Sequence, residues 1–98
     1  MIKKKRVRGK DLVAITFRSK APEDTESLRL LGEFNDWRPD RHPMKRRKDG
    51  TWSVTVRLPK DEQFHFRYLV DDERWLTDEQ SDGLALNELG DPNAVVKT

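Results

Sequence analysis

The sequence predicts a single all-β domain, a sandwich of about seven antiparallel strands. Several runs alternate apolar and polar residues with the period of a half-buried strand, and no window of about 11 residues has a convincing helical period. Turn-forming residues recur roughly every 8 to 12 positions, as they do in β-sandwiches. The 98 residues are enough for one domain with a modest core and too few for two.

The chain begins with a strongly basic stretch, since residues 1–10 carry six basic side chains and no acidic one. This stretch has little apolar surface to bury, so we expect a basic N-terminal arm that is mobile at least as far as Arg6. The folded domain is then expected to occupy residues 11–98.

Two strands and a long loop are predicted before position 45. Residues 12–17 alternate with a period of two and predict the first strand. Residues 27–31 predict the second, which ends at Gly32. Residues 35–44 contain two prolines and show no period, so they predict a loop.

Asp49-Gly50 predicts a hairpin with a two-residue turn, because both residue types tolerate the positive φ that such a turn requires. The hairpin joins residues 45–48 to a strand at residues 51–58, which Pro59 ends.

The C-terminal part of the sequence predicts three further strands. Residues 64–70 alternate, the acidic residues 71–73 form a turn, and residues 74–76 return as a short strand. Residues 77–92 predict a loop, and residues 94–96 close the domain as a short buried strand.

The candidate core aromatics are identified by their phase within these strands. Apolar side chains that share a face every second residue predict one buried surface. Trp52 lies in phase with Val54 and Val56, and three aromatics of the later strand lie in phase with Val70. The predicted core aromatics are Trp52, Phe64, Phe66 and Tyr68.

Trp37 and Trp75 differ from those residues, because each follows a strand-like run and lies at a turn among polar neighbours. A large ring gains little from burial at such a position, which indicates contact with a ligand. A flat apolar face ringed by hydrogen-bonding groups suits the C–H face of a pyranose and also suits a nucleobase. Both ligand classes therefore stay open on these residues alone.

The net charge of +2 hides an asymmetry. Residues 1–60 hold 17 basic and 8 acidic side chains, and residues 61–98 hold 3 and 10, so the two parts carry +9 and −7. Such a chain either pairs its two parts across a sheet or presents a basic patch to a polyanion. We favour pairing.

Several classes of protein and site lack support in the sequence. There is no cysteine for a disulfide or thiol chemistry and no run of about 18 apolar residues for a membrane span, so we expect a cytoplasmic protein. His42 and His65 lack neighbours at metal-ligand spacing, and no nucleophile elbow or glycine-rich phosphate loop is present. We predict no metal, no cofactor and no enzymatic activity.

Taken together, the ordered motifs resemble carbohydrate-binding module family 48. The resemblance extends from about Leu28 to Val96; the motifs that carry it are residues 31–37, His42-Pro43-Met44, Asp49-Gly50-Thr51-Trp52, residues 66–71, Trp75 and residues 89–96. It implies an early-set, immunoglobulin-like antiparallel β-sandwich. Such modules occur in glycogen branching and debranching enzymes and in the β subunit of AMP-activated protein kinase.

The resemblance also implies a site for an α-1,4-glucan. In the glycogen-binding members of the family, this site consists of two tryptophans, a basic residue on the strand between them and a loop near the C-terminus. The matching positions, and so the implied substrate-binding residues of this chain, are Trp37, Arg67, Trp75, Leu89 and Asn93. The kinase-type members have lysine where this chain has Arg67, and threonine where it has Asp91.

Some of these residues have alternative interpretations. Arg67 points away from Phe66 and Tyr68, and it contacts either a ligand or an acidic side chain of the C-terminal half. Asn93 either binds sugar or caps the turn after Pro92. Leu89 fills either the core or the ligand groove.

Three functions therefore follow from the sequence. The leading hypothesis is a non-catalytic α-glucan-binding module that acts beside a glucan-active enzyme or kinase. A structural or partner-docking domain without glycan binding is the first alternative. Single-stranded nucleic-acid binding is the second, but the basic residues lie on the arm and on a different hairpin from the surface aromatics.

Overall fold

Nine strands form two antiparallel sheets in residues 2–78, 80–87 and 89–98, the part of the chain that this computed structural model describes. A single 3-10 turn, Glu33–Asn35, follows the third strand within that part. In chain order the strands are β1 Ile2–Arg6, β2 Leu12–Ser19, β3 Leu28–Gly32, β4 Lys45–Arg46, β5 Trp52–Pro59, β6 Gln63–Val70, β7 Arg74–Leu76, β8 Gly83–Leu86 and β9 Pro92–Lys97.

The strands divide into sheet A, ordered β1-β2-β5-β4, and sheet B, ordered β3-β6-β9-β8. In sheet B the short strand β7 pairs with the end of β6, on the same side as β9. The predicted all-β sandwich is confirmed. The expected number of about seven strands was too low, because β1 and β8 were not predicted.

The core lies between the two sheets and comes from alternate positions of their inner faces. Ile15 and Phe17 of sheet A meet Phe66 and Tyr68 of sheet B, and all four are fully buried. Trp52 is also in this core, with 7% of its surface exposed. The phase argument is therefore confirmed for Trp52, Phe66 and Tyr68, while Phe64 packs against the core at its margin.

The basic N-terminal stretch contains a strand that the sequence did not predict. Residues 2–6 pair antiparallel with β2 along their whole length, from Ile2 opposite Phe17 to Arg6 opposite Val13. Ile2 packs against the core, and Nζ of Lys4 lies 2.6 Å from a carboxylate oxygen of Asp82. Composition missed this strand, because backbone hydrogen bonds to the edge of β2 do not depend on apolar side chains.

The predicted loop at residues 77–92 also differs, since it contains β8, which pairs with β9. Leu84 and Leu86 of this strand are exposed. The larger apolar side chains of β8 thus face outward and not into the core, which is why the sequence pattern did not predict this strand.

The Asp49-Gly50 turn is one residue longer than predicted. The N–H of Arg47 donates to the carbonyl of Thr51 (2.7 Å), and the N–H of Gly50 donates to the carbonyl of Arg47 (3.0 Å), so three residues form the loop. Among the loop residues only Gly50 has positive φ, at 85°. This is the three-residue hairpin with glycine in the left-handed position.

The charge asymmetry is relieved in part by pairing. Lys4 with Asp82 and Arg29 with Asp72 join the basic part of the chain to the acidic part, with N to O distances of 2.6 and 2.9 Å. Other ion pairs, such as Lys60 with Asp11, lie within the basic part. Pairing across the halves therefore leaves basic side chains on the surface.

Candidate functional site

The outer face of sheet B forms an open groove of about 910 Å³. Because Phe66 and Tyr68 point into the core, Arg67 and Leu69 of the same strand point outward. Leu31 lies opposite Arg67 and Trp75 lies opposite Leu69, so all four side chains share this face. The groove therefore has an apolar floor with a guanidinium in it.

All the site residues expected from the sequence border this one groove. They come from a turn after β3, from β6, β7 and β9, and from the loop before β9; they are Trp37, Arg67, Trp75, Leu89 and Asn93. The fold thus brings together residues that are up to 56 positions apart in the chain, counting from 37 to 93. Their contact with a ligand stays a prediction.

Arg67 is held in place by two neighbours. Its Nε donates to Oδ1 of Asn93 over 2.6 Å, and its Cζ lies 5.1 Å from the centre of the Trp75 ring. Asn93 is only 5% exposed, and its side-chain oxygen orients Arg67. The Nε bond uses one of the five N–H donors of a guanidinium.

Trp75 is presented by the tight turn between β6 and β7, and 49% of its surface is exposed. Asp71 and Asp72 have φ of 51° and 58°, the conformation of a type I′ hairpin turn. Oδ1 of Asp71 accepts the N–H groups of Ser27 and Glu26, and these bonds lower the pKa of the Asp71 carboxyl. The turn is thereby attached to the start of β3.

Trp37 lies in an uncommon backbone conformation. Asp36 and Trp37 have φ of 56° and 57°, in the left-handed region, and the N–H of Trp37 donates to the carbonyl of Gly32 over 3.0 Å. This conformation costs roughly 1–2 kcal/mol for a residue with a Cβ. Backbone strain is found preferentially at functional sites, so the geometry favours a functional position for this ring.

Asn35 stabilises that strained turn from inside. Its Oδ1 accepts the N–H of Gly32 (3.0 Å), so its Nδ2 is the donor to the carbonyl of Leu30 (3.0 Å) and to Nδ1 of His42 (2.8 Å). The side chain is buried. The sequence places Asn35 and His42 in a predicted loop and does not indicate this network, because neither residue belongs to a periodic pattern.

A glycine is required at position 32, at the start of the same turn, because neighbouring atoms leave no room for a Cβ. Its φ does not require glycine. A Cβ at this position would lie 2.7 Å from the backbone oxygen of His65 and 2.7 Å from the ring of Phe34. Any side chain would therefore push β3 away from β6 directly beneath the groove.

The loop before β9 places Leu89 at the rim of the groove, where it is 88% exposed. Oδ1 of Asn87 accepts the N–H groups of Leu89 (2.9 Å) and Asp91 (3.0 Å), and Gly90 has φ of 84°. Leu89 therefore does not fill the core. Asn87 was missed, although an asparagine shortly before a glycine is a recognisable turn signal.

His42 is expected to be in its neutral form, because Nδ1 accepts from Asn35. Burial lowers the pKa of His42 from its ordinary value of 6.5, and the positive charge of Arg41 lowers it further. If Nδ1 of His42 carried a proton, two N–H donors would face each other and the hydrogen bond from Asn35 would be lost.

We therefore expect acid to destabilise the domain through His42. Below about pH 6.5 the unfolded chain protonates this imidazole, whereas the folded chain resists until the pH is lower. The unfolded state binds more protons in that window, so the free energy of unfolding falls as the pH falls. Thermal melts near pH 7.5 and 5.5 should show a larger drop in Tm for the wild type than for His42→Gln. Parallel drops would contradict this.

The side chains that line the groove include aromatic, aliphatic, polar and charged groups. In the described residues, no group of three or more His, Cys, Asp or Glu side chains is placed to hold a metal ion. The same part of the chain contains no helix long and apolar enough to cross a membrane. Stacking, apolar contact and hydrogen bonding are the interactions that the groove residues provide.

Comparison with known families agrees with this architecture. The family model described as Carbohydrate-binding module 48 (Isoamylase N-terminal domain) matches residues 8–94. The chain belongs to this family. As a member of carbohydrate-binding module family 48, it has the early-set, immunoglobulin-like sandwich that the sequence motifs implied.

The module is also similar to segments of glucan branching enzymes. It is 31% identical over 67 residues to the 1,4-alpha-glucan branching enzyme GlgB 2 of Xanthomonas campestris pv. campestris (strain 8004). This alignment covers 67% of the present chain and 9% of that enzyme. It is 43% identical over 42 residues to the 1,4-alpha-glucan-branching enzyme of Rhizophagus irregularis. That alignment covers 43% of the present chain and 6% of the enzyme. The module thus spans less than a tenth of these relatives.

Proposed function

We propose that this module binds α-1,4-glucans without catalysis, on the outer face of sheet B. The observation that carries the proposal is the groove itself, which is lined by the half-buried Trp37, by the half-exposed Trp75 and by Arg67, whose guanidinium lies over the Trp75 ring. Membership of family 48 and the similarity to branching enzymes support a glucan as the ligand.

The proposed binding mode follows from the shape of a glucose unit. The two tryptophan rings stack on the C–H faces of sugars, while Arg67 donates hydrogen bonds to their hydroxyl groups. Asn93 and the Trp75 ring hold Arg67 in position before the ligand arrives, which reduces the loss of side-chain freedom on binding. Leu86 and Leu89 add apolar contact at the rim.

We propose modest affinity for this site. The groove is open, and each sugar hydroxyl must give up well-bound water before it contacts the protein. Asp91 stands where the kinase-type modules have a threonine, and its carboxylate accepts hydrogen bonds but does not donate them. A glucan-active enzyme or a kinase is the proposed functional partner of the module.

Loss of either groove tryptophan tests this proposal. Trp37→Ala and Trp75→Ala should leave the domain folded and weaken maltooligosaccharide binding by ~1 to 3 kcal/mol each, by analogy with aromatic stacking on bases. Binding is measured by amide chemical shifts at millimolar sugar. Leu84→Ala is the matched control, because Leu84 is an exposed apolar residue outside the groove-lining set.

Two results would remove the proposal. One is the absence of any shift around Trp37, Arg67 and Trp75 at millimolar sugar. The other is strong dependence on salt, because stacking and neutral hydrogen bonds should change little between about 50 and 200 mM salt, whereas phosphate contacts weaken by orders of magnitude. A steep salt slope with an oligonucleotide and no response to sugar would favour nucleic-acid binding.

A further inference from the structure

The outer face of sheet A, on the side of the sandwich opposite the groove, is rich in cations. Alternation in β1 points Lys3 and Lys5 outward, because they lie opposite the outward-facing Thr16 and Ala14 of β2. At the other edge, the outward cations are Lys45 in β4 and Arg47 just after it. Arg57 of β5 also points outward and is level with Lys5; with Lys3 and Lys5 these side chains form the basic face.

The basic face has a floor of small side chains between two pairs of cations, Lys3 with Lys5 and Lys45 with Arg47. Thr16 of β2 and Thr55 of β5 lie at its centre, with their hydroxyl oxygens 2.9 Å apart. Because β2 and β5 separate β1 from β4, the two pairs stand three strand spacings apart, about 14 Å. They are also offset along the strands, since Lys3 is level with Thr55 whereas Lys45 is level with Ser53. An extended chain that crosses this floor diagonally passes both pairs.

The cations of the basic face are largely uncompensated. Within the part of the chain that the structure describes, Lys3, Lys5, Lys45 and Arg57 form no ion pair. The carboxylate at the end of this face, Asp49, is already paired with Arg18. Like charges clustered on one surface repel each other, so an anionic partner would stabilise this arrangement.

The acid at that end remains charged over almost the whole pH range. Hydrogen bonds from the hydroxyl and backbone N–H of Thr51 lower the pKa of Asp49 to about 2. Asp49 therefore remains an anion paired with Arg18 at the Lys45 end of the face, and it is remote from Lys3 and Lys5 at the other edge.

We propose that the basic face docks an acidic segment of a partner polypeptide, which crosses the sheet diagonally so that its carboxylates lie near both pairs of cations. Side chains two residues apart on one strand are separated by about 6.8 Å, and alternate carboxylates of an extended segment have the same spacing. Lys3 with Lys5, and Lys45 with Arg47, offer this spacing on the two edges. Cations placed this way select an anionic partner and speed its association.

A polypeptide fits this face better than a nucleic acid does. The described outward side chains of sheet A include no aromatic ring, so the stacking that single-strand binders use is missing. The described part of sheet A also carries no helix, the element that most often enters the major groove of a duplex. Because it lies on the other sheet from Trp37 and Trp75, a partner and a ligand can be bound at once.

Binding of poly-L-glutamate of about 20 residues to the full 98-residue chain tests the inference. Amide shifts should map to β1, β4 and β5 and leave the groove unchanged. The double variant Lys45→Glu with Arg47→Glu should weaken binding more than about 10-fold near 150 mM salt. Lys10→Glu with Lys97→Glu carries the same change of charge on exposed residues, one in the loop after β1 and one on sheet B, and it should weaken binding less than about 3-fold.

A second pair, Lys3→Glu with Lys5→Glu, should reproduce the loss from the other edge without altering the β4–β5 hairpin. Maltooligosaccharide binding measured on the same variants should stay unchanged, so this inference fails or survives independently of the glucan site. It is overturned by no binding of poly-L-glutamate, by equal losses in the control pair, or by tighter binding of a single-stranded oligonucleotide of equal charge to the same face.

Discussion

Trp52→Ala should lower the free energy of unfolding by about 3 to 5 kcal/mol, the usual cost of emptying an aromatic site in a packed core. The ring lies between the sheets with 7% of its surface exposed, and the guanidinium of Arg46 lies 5.8 Å from its centre. A domain of this size has a total stability of only about 5 to 15 kcal/mol, so the variant is close to the limit of folding.

Thermal melts provide the measurement for this variant. Tm should fall by more than about 10 °C, since 1 kcal/mol corresponds to several degrees in a domain of this length. Trp75→Ala is the matched control, because the same side chain is removed from a half-exposed position on the other face. If Trp52→Ala melts like the wild type while Trp75→Ala unfolds, the assignment of inner and outer faces is wrong.

Asn35→Ala should damage both stability and glucan binding. It removes three hydrogen bonds and leaves the N–H of Gly32 and the carbonyl of Leu30 without this partner. At about 1 kcal/mol for each bond, with an added cost for buried groups left unpaired, we expect a loss of roughly 2 to 4 kcal/mol. The strained backbone at Trp37 then loses the network that holds it, so the ring leaves its position in the groove.

Measurement well below the melting temperature of the variant separates these two effects. Asn35→Ala should bind maltooligosaccharide as weakly as Trp37→Ala does, although residue 35 itself is buried away from the groove. Asn35→Asp keeps an acceptor for the N–H of Gly32 but loses both donated bonds, and should be intermediate in stability. Normal glucan affinity in a folded Asn35→Ala would show that Trp37 does not depend on this network.

The residues of the candidate site were accessible from the sequence to different degrees. Trp37, Arg67 and Trp75 stood out because large or charged side chains occupied turns or the outward phase of a strand. Asn35 and Asn87 did not stand out, because their importance comes from backbone groups that a local fold brings within hydrogen-bond distance. A sequence pattern reports the direction of a side chain more readily than its partner.

By itself, the sequence determined which side of each predicted strand is buried, because side chains alternate with a period of two and apolar groups leave water. That rule placed Phe66 in the core and Arg67 outside it. Only the tertiary structure decided that residues 2–6 pair with β2, that β8 pairs with β9, and that Arg67 is held by Asn93. These features rest on hydrogen bonds between distant segments, whose strength depends on position in space rather than on residue type.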